Sequence, residues 1–127
     1  MTLINIKSLD AFEFLSQKVD SHLIDTRSDL EWKTTGIPDL SSINKETNLI
    51  NWGPVLDQNF FDKYKKFLTC RFNLKDSLFF ICRSGSRSSM AAEFAIEFGF
   101  INCFNIYDGF HNESSQNWKK NLPIKFI

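Results

Sequence analysis

Ser77-Leu78-Phe79-Phe80-Ile81-Cys82-Arg83-Ser84-Gly85-Ser86-Arg87-Ser88-Ser89 is the stretch that decides how this chain is read. A short apolar run ends on a cysteine. A small, polar, twice-basic loop follows, and an amphipathic run begins at Met90. The pattern describes a buried strand, a turn with a curled backbone, and a helix N-terminus. Backbone N–H groups and the positive end of a helix dipole converge at such a place. They would stabilise a thiolate at Cys82, and a stabilised thiolate is a nucleophile. Gly85 allows a positive φ or a close backbone approach. Ser84 and Ser86 are small enough to turn outward and leave the concavity open. Arg83 and Arg87 supply two cations that suit an anionic substrate. The stretch Arg83, Ser84, Gly85, Ser86, Arg87 and Ser88 is therefore a candidate anion pocket, with Cys82 as the candidate nucleophile at its floor. Taken alone, a cysteine ending a core strand reads as structural. The attached loop reverses that reading, because a plain turn rarely needs two arginines around a glycine. Arg83 also reads as a solvated loop charge. Arg87 stands at a helix start, where a purely structural design avoids positive charge.

Working outward, residues 78–81 are apolar on both faces, as expected for the middle of a covered sheet. Further strands are expected over 3–6, 22–24, 48–52 and 101–107. Helices are expected over 9–18 with Ser8 as N-cap, over 29–33 capped by Ser28, and over 57–69 with an aromatic stripe. That stripe (Phe60, Phe61, Tyr64, Phe67, Leu68) reads as a packing face rather than a ligand-stacking one. Met90, Ala91, Phe94, Ala95 and Phe98 make another helical stripe, closed by Gly99 at the C′ position. Residues 34–42 read as loop, and 113–120 as a polar, weakly helical tail. Strands alternating with helices imply an α/β fold: a mostly parallel five-stranded central sheet with helices on both faces. Functional loops in such sheets lie beyond the carboxyl ends of the strands. The loop after Ile81 and the residues Asp25 and Arg27 share that position, so they can meet despite their separation in sequence.

Composition narrows the function. The 127 residues favour one domain spanning 1–127, and 43% hydrophobic content can fill a real core. Fifteen basic and fifteen acidic residues cancel, so no global field favours nucleic acid. Cys70, Cys82 and Cys103 are odd in number and widely spaced, a poor disulfide framework that fits a reducing compartment. No signal-peptide pattern and no membrane-length apolar run is visible, so a soluble, cytoplasmic protein is expected. Cys70 and Cys103 read as structural. His22 reads as a strand residue, and His111 lies where it could approach the pocket.

The loop from Cys82 to Ser88 resembles the active-site loop of the rhodanese (sulfurtransferase) homology domain. Two further stretches match in order. Leu23-Ile24-Asp25-Thr26-Arg27 resembles the family strand ending in Asp-x-Arg, and Gly36-Ile37-Pro38 its Gly-His-Ile-Pro loop, without the His. Tyr107-Asp108-Gly109-Phe110, Trp118 and Leu122-Pro123 resemble the closing region, with Phe110 where a second Gly is usual and Asp39-Leu40 where small residues are usual. The resemblance spans essentially the whole chain and implies a rhodanese-like fold. It also implies sulfane-sulfur transfer by double displacement through a Cys82 persulfide, from a small anionic donor such as thiosulfate to cyanide or a small or protein thiol. No metal or organic cofactor is implied. Asp25 and Arg27 match the family's pair near the loop and are expected to brace it. Two alternatives stand beside this reading. One is a non-catalytic binding module, or a partner-specific persulfide relay, of the same fold. The other is a cysteine phosphatase or arsenate reductase, whose cradle needs an arginine six residues after the cysteine. Here Ser88 holds that place and Arg87 comes five after, a shorter span that suits sulfur better than phosphoryl. Oligomeric state is not written in the sequence.

Overall fold

The expected central strand is β5 (Ser77–Ile81), and four of its five residues are buried. The structure, a computed structural model, describes residues 2–113 and 117–127. In chain order the elements before it are β1 (Ile4–Ile6), α1 (Ser8–Gln17), β2 (Ser21–Asp25), α2 (Asp29–Thr35), β3 (Ile37–Pro38), a short 3-10 turn, β4 (Asn48–Leu49) and α3 (Gln58–Arg71). After it come α4 (Ser86–Glu97), β6 (Asn102–Ile106), α5 (Trp118–Asn121) and β7 (Ile124–Lys125). The five-stranded sheet runs β1-β6-β5-β2-β4, with every pairing parallel. Its strands are the five expected ones.

The pleat sends alternate residues of β5 into two separate cores. Leu78 and Phe80 join Tyr64 and Leu68 of α3 and Ala91, Ala92 and Ala95 of α4 on one face. Phe79 and Ile81 join Ala11 and Leu15 of α1 with Ile106, Phe110 and Trp118 on the other. Each fully buried ring or branched side chain here contributes about 1.5–3 kcal/mol. The small Ala91 and Ala95 let α4 approach the sheet closely. The aromatic stripe of α3 packs as expected, and the Tyr64 hydroxyl donates to the Ala91 carbonyl at 2.6 Å.

Several expectations need correction. Ser8 is the first residue of α1 rather than its cap. Its N–H and hydroxyl donate to the Asp108 carboxylate at 3.0 and 2.6 Å. A distant aspartate thus satisfies the helix end, which no local pattern reveals. The strand expected over 48–52 stops at Leu49, although Ile50 and Trp52 continue to donate backbone bonds to Asp25 and Arg27. Residues 34–42, expected as loop, contain β3, which pairs antiparallel with β7 in a second sheet. Two-residue strands carry no periodicity to detect. Helix α4 starts at Ser86, four residues before the amphipathic run. Ser28 caps α2 as expected, in a full capping box with Glu31. Of the tail over 113–120, residues 114–116 lie outside the described residues, and α5 begins at Trp118. Among the described residues no helix is long and apolar enough to cross a membrane.

Candidate active site

The chain leaves β5 at Ile81 and is held from both sides before it reaches α4. On one side Thr26 donates to the Ile81 carbonyl through its backbone N–H at 2.9 Å and its hydroxyl at 3.1 Å. On the other, the N–H groups of Phe110 and His111 donate to the carbonyls of Cys82 and Arg83 at 2.9 and 3.2 Å. The segment after β2 and the segment after β6 thus grip the cysteine loop between them. Gly85 sits at the helix N-cap with φ 101°, and a Cβ there would lie 2.9 Å from the Tyr107 carbonyl oxygen. Positive φ and close backbone contact both demand glycine.

Cys82 is fully buried. Its sulfur faces two donors, the Gly85 N–H at 3.1 Å and the Ser88 hydroxyl at 3.2 Å. The same hydroxyl lies 2.6 Å from Asn105 Oδ1, and Asn105 Nδ2 donates to Asn5 at 3.1 Å. One proton on Ser88 serves one acceptor at a time, and an ionised sulfur is the stronger of the two. Ser84 and Ser86 turn to solvent, as expected of the small loop residues.

Above the loop lies a cavity of about 420 Å³ lined by Arg27, Glu31, Thr35, Arg83, Arg87 and His111. Its walls include Arg83, the residue after Cys82, while the thiol itself has no exposed surface. Asp25 and Arg27 form an ion pair, both essentially without exposure. The Arg27 Nε–H and an Nη2–H donate to the two carboxylate oxygens at 3.0 and 2.8 Å. Thr35 Oγ1 and the Gly36 carbonyl take further hydrogens, at 2.9 and 2.8 Å. The guanidinium stacks 3.9 Å over the Phe110 ring. Phe110, where a glycine is usual, is therefore the platform on which the bracing arginine rests.

Arg87 faces the cavity but is not free. It makes a fork with Glu31 at 2.6 and 2.9 Å. Burial works against the Glu31 charge, but the Arg87 and Ser28 hydrogen bonds and the Arg87 charge outweigh it and hold the carboxyl down at about 2. Glu31 reads in the sequence only as a helix-start acid, and its role across 56 residues has no local signal. Arg83 is exposed and donates through Nε to the His111 carbonyl at 3.2 Å. His111 does reach the cavity. Burial and then the charges of Lys119, Arg83, Arg27 and Lys120 lower its pKa, which favours the neutral ring.

The other cysteines sit apart. Cys103 pairs with Leu78, four residues back from Cys82 along the neighbouring strand, and burial pushes its thiol up to about 12. Cys70 is exposed on α3. Among the described residues no three His, Cys, Asp or Glu side chains gather as metal ligands would.

A family model described as a rhodanese-like domain matches residues 8–116. The chain belongs to the rhodanese-like domain family. Within it, the uncharacterized protein RP600 of Rickettsia prowazekii is 38% identical over 128 residues, covering 99% of this chain and 100% of its own length. The crystal structure of Rv0390 from M. tuberculosis superposes on this rhodanese-like chain with a TM-score of 0.82 at 32% identity, covering 98% and 97% of the two chains. A polysulfide-sulfur transferase homodimer from Wolinella succinogenes shares the fold at a TM-score of 0.65 and 20% identity, over 98% of this chain and 80% of its own. The family and the parallel five-stranded α/β architecture expected from the cysteine loop are those found.

Proposed function

We propose that this chain is a sulfurtransferase that carries sulfane sulfur on Cys82, and that residues 1–127 form one such domain. The observation that carries the reading is the setting of the Cys82 sulfur. It receives the Gly85 N–H and the Ser88 hydroxyl, and it is followed directly by Arg83, which with Arg27 and Arg87 lines a cavity. The Cys82 thiolate attacks the outer sulfur of a donor, the S–S bond breaks, and the leaving group departs with the electron pair. With thiosulfate the leaving group is sulfite and the product is Cys82–S–S⁻. An acceptor such as cyanide or a thiolate then attacks the terminal sulfur, and Cys82 leaves as the thiolate. Gly85 and Ser88 stabilise the sulfur anion in both steps. Arg83 and Arg87, with the loop from Ser84 to Ser88, orient the donor. Asp25 and Arg27 brace the segment that holds the loop. The Wolinella succinogenes neighbour, described as a polysulfide-sulfur transferase, supports the same class of chemistry. A reducing cytoplasm would keep Cys82 free to cycle.

Incubation with a sulfane donor and cyanide tests the proposal. Thiocyanate forms with the wild type and not with Cys82→Ser. Equal background rates for the two proteins would reject it.

A further inference from the structure

Charge is not distributed over this cavity as three free arginines would distribute it. Arg27 is matched by Asp25 and Arg87 by Glu31. Among the described residues Arg83 has no carboxylate in ion-pair distance, and it stands exposed, held through the His111 carbonyl. The cavity therefore presents two neutralised pairs and one uncompensated positive charge. Glu31 is itself a wall residue, so an anion entering beside Arg87 meets a carboxylate as well. Repulsion from one fixed negative charge scales with the charge of the ligand, so it penalises a dianion about twice as much as a monoanion.

We propose that Glu31 tunes the donor class of this site: by occupying Arg87 it weakens the preference for doubly charged donors such as thiosulfate relative to singly charged persulfides, R–S–S⁻. The inference rests on the sulfurtransferase reading above and narrows it. In the persulfide step the Cys82 thiolate attacks the terminal sulfur of R–S–S⁻. The S–S bond breaks, R–S⁻ leaves with the electron pair, and Cys82–S–S⁻ remains. Charge and atoms balance with no further reactant. The carboxyl stays ionised across any neutral assay, since hydrogen bonds from Arg87 and Ser28 hold it far below neutrality against the opposing effect of burial. The R group meets a half-exposed wall and one rim cation, Arg83, rather than a deep anion cradle.

The test compares two donors on one protein, with cyanide as acceptor and the uncatalysed rates subtracted. The donors are thiosulfate and 2-mercaptoethanol persulfide, whose R group is uncharged. The proteins are the wild type, Glu31→Gln, and the double variant Glu31→Gln/Arg87→Gln, which restores the original charge balance. A ratio of kcat/KM values for two donors cancels any loss of folded protein. In Glu31→Gln the thiosulfate-to-persulfide ratio should rise at least tenfold, mainly through a lower KM for thiosulfate. In the double variant it should return to within about threefold of the wild type. A ratio that does not move in Glu31→Gln, or that stays high in the double variant, overturns the proposal. A wild type that transfers sulfur from neither donor overturns the sulfurtransferase reading itself, and this inference with it.

Discussion

The Ser88 hydroxyl stands 3.2 Å from the Cys82 sulfur although it is six residues further along, on the first turn of α4. It occupies the offset at which a phosphatase cradle would carry its arginine. Strand β5, the Gly85 turn and helix α4 thus deliver a neutral donor, not a cation, to the sulfur. A hydrogen bond to an ionised group is worth about 1.5–3 kcal/mol. Ser88→Ala should lower kcat/KM for sulfur transfer roughly 10- to 100-fold while Cys82 remains present. A loss below about threefold, read from thiocyanate formation, would show that Gly85 alone serves the sulfur.

Asp25→Asn keeps the shape of the side chain and removes its charge. Arg27 then stays buried without a counter-ion, the costly half of a broken pair. Urea unfolding should show a loss of about 3–5 kcal/mol. The loss is larger than a solvated loop contact would give, because the pair also anchors Thr35, Gly36 and Phe110.

Gly109 has φ 70°, and a Cβ there would run into the Arg83 carbonyl oxygen and come within 2.8 Å of Ser84 Cα. Those are backbone atoms of the cysteine loop and cannot swing aside. Gly109→Ala should cost about 2 kcal/mol or more and impair transfer by displacing the loop. Gly53→Ala is the control, since a Cβ there meets nothing within 4 Å. It should change stability by about 0.5 kcal/mol or less.

The Arg87–Glu31 pair also predicts a pH dependence. The Glu31 carboxyl titrates at about 2 in the folded chain, against 4.5 for an ordinary glutamate. The unfolded chain therefore takes up the proton first as pH falls. The contribution of the charged carboxylate is complete above about pH 4.5 and disappears as pH falls through about 2. Solvent reaches the pair, so the effect is at most about 1 kcal/mol. The stability difference between wild type and Glu31→Gln should shrink steadily from pH 6 to pH 2. A difference independent of pH would assign it to packing alone.

What the sequence exposed and what it hid divide along physical lines. Residues 78–81 announce a central strand because they are apolar on both faces, and strict βα alternation then fixes a parallel sheet. The Cys82 to Ser88 loop was legible because glycine, small polar residues and two arginines in seven positions have few other uses. Asp25 and Arg27 could be placed near the loop from their position at a strand end, and the bracing role came from the family resemblance. Glu31 was not, because its partner Arg87 lies on another helix and only folding brings the two together. Asn105 was hidden for the same reason, since its partners, Ser88 and Asn5, are distant in sequence. The capping of α1 by Asp108 and the pairing of β3 with β7 likewise depend on contacts across the chain.

The most direct test of the central claim is the intact mass of the protein after incubation with thiosulfate or 2-mercaptoethanol persulfide and removal of excess donor. The account predicts a gain of about 32 Da, one sulfur, reversed by cyanide and absent in Cys82→Ser. An unchanged wild-type mass with both donors, or an equal gain in Cys82→Ser, would contradict it.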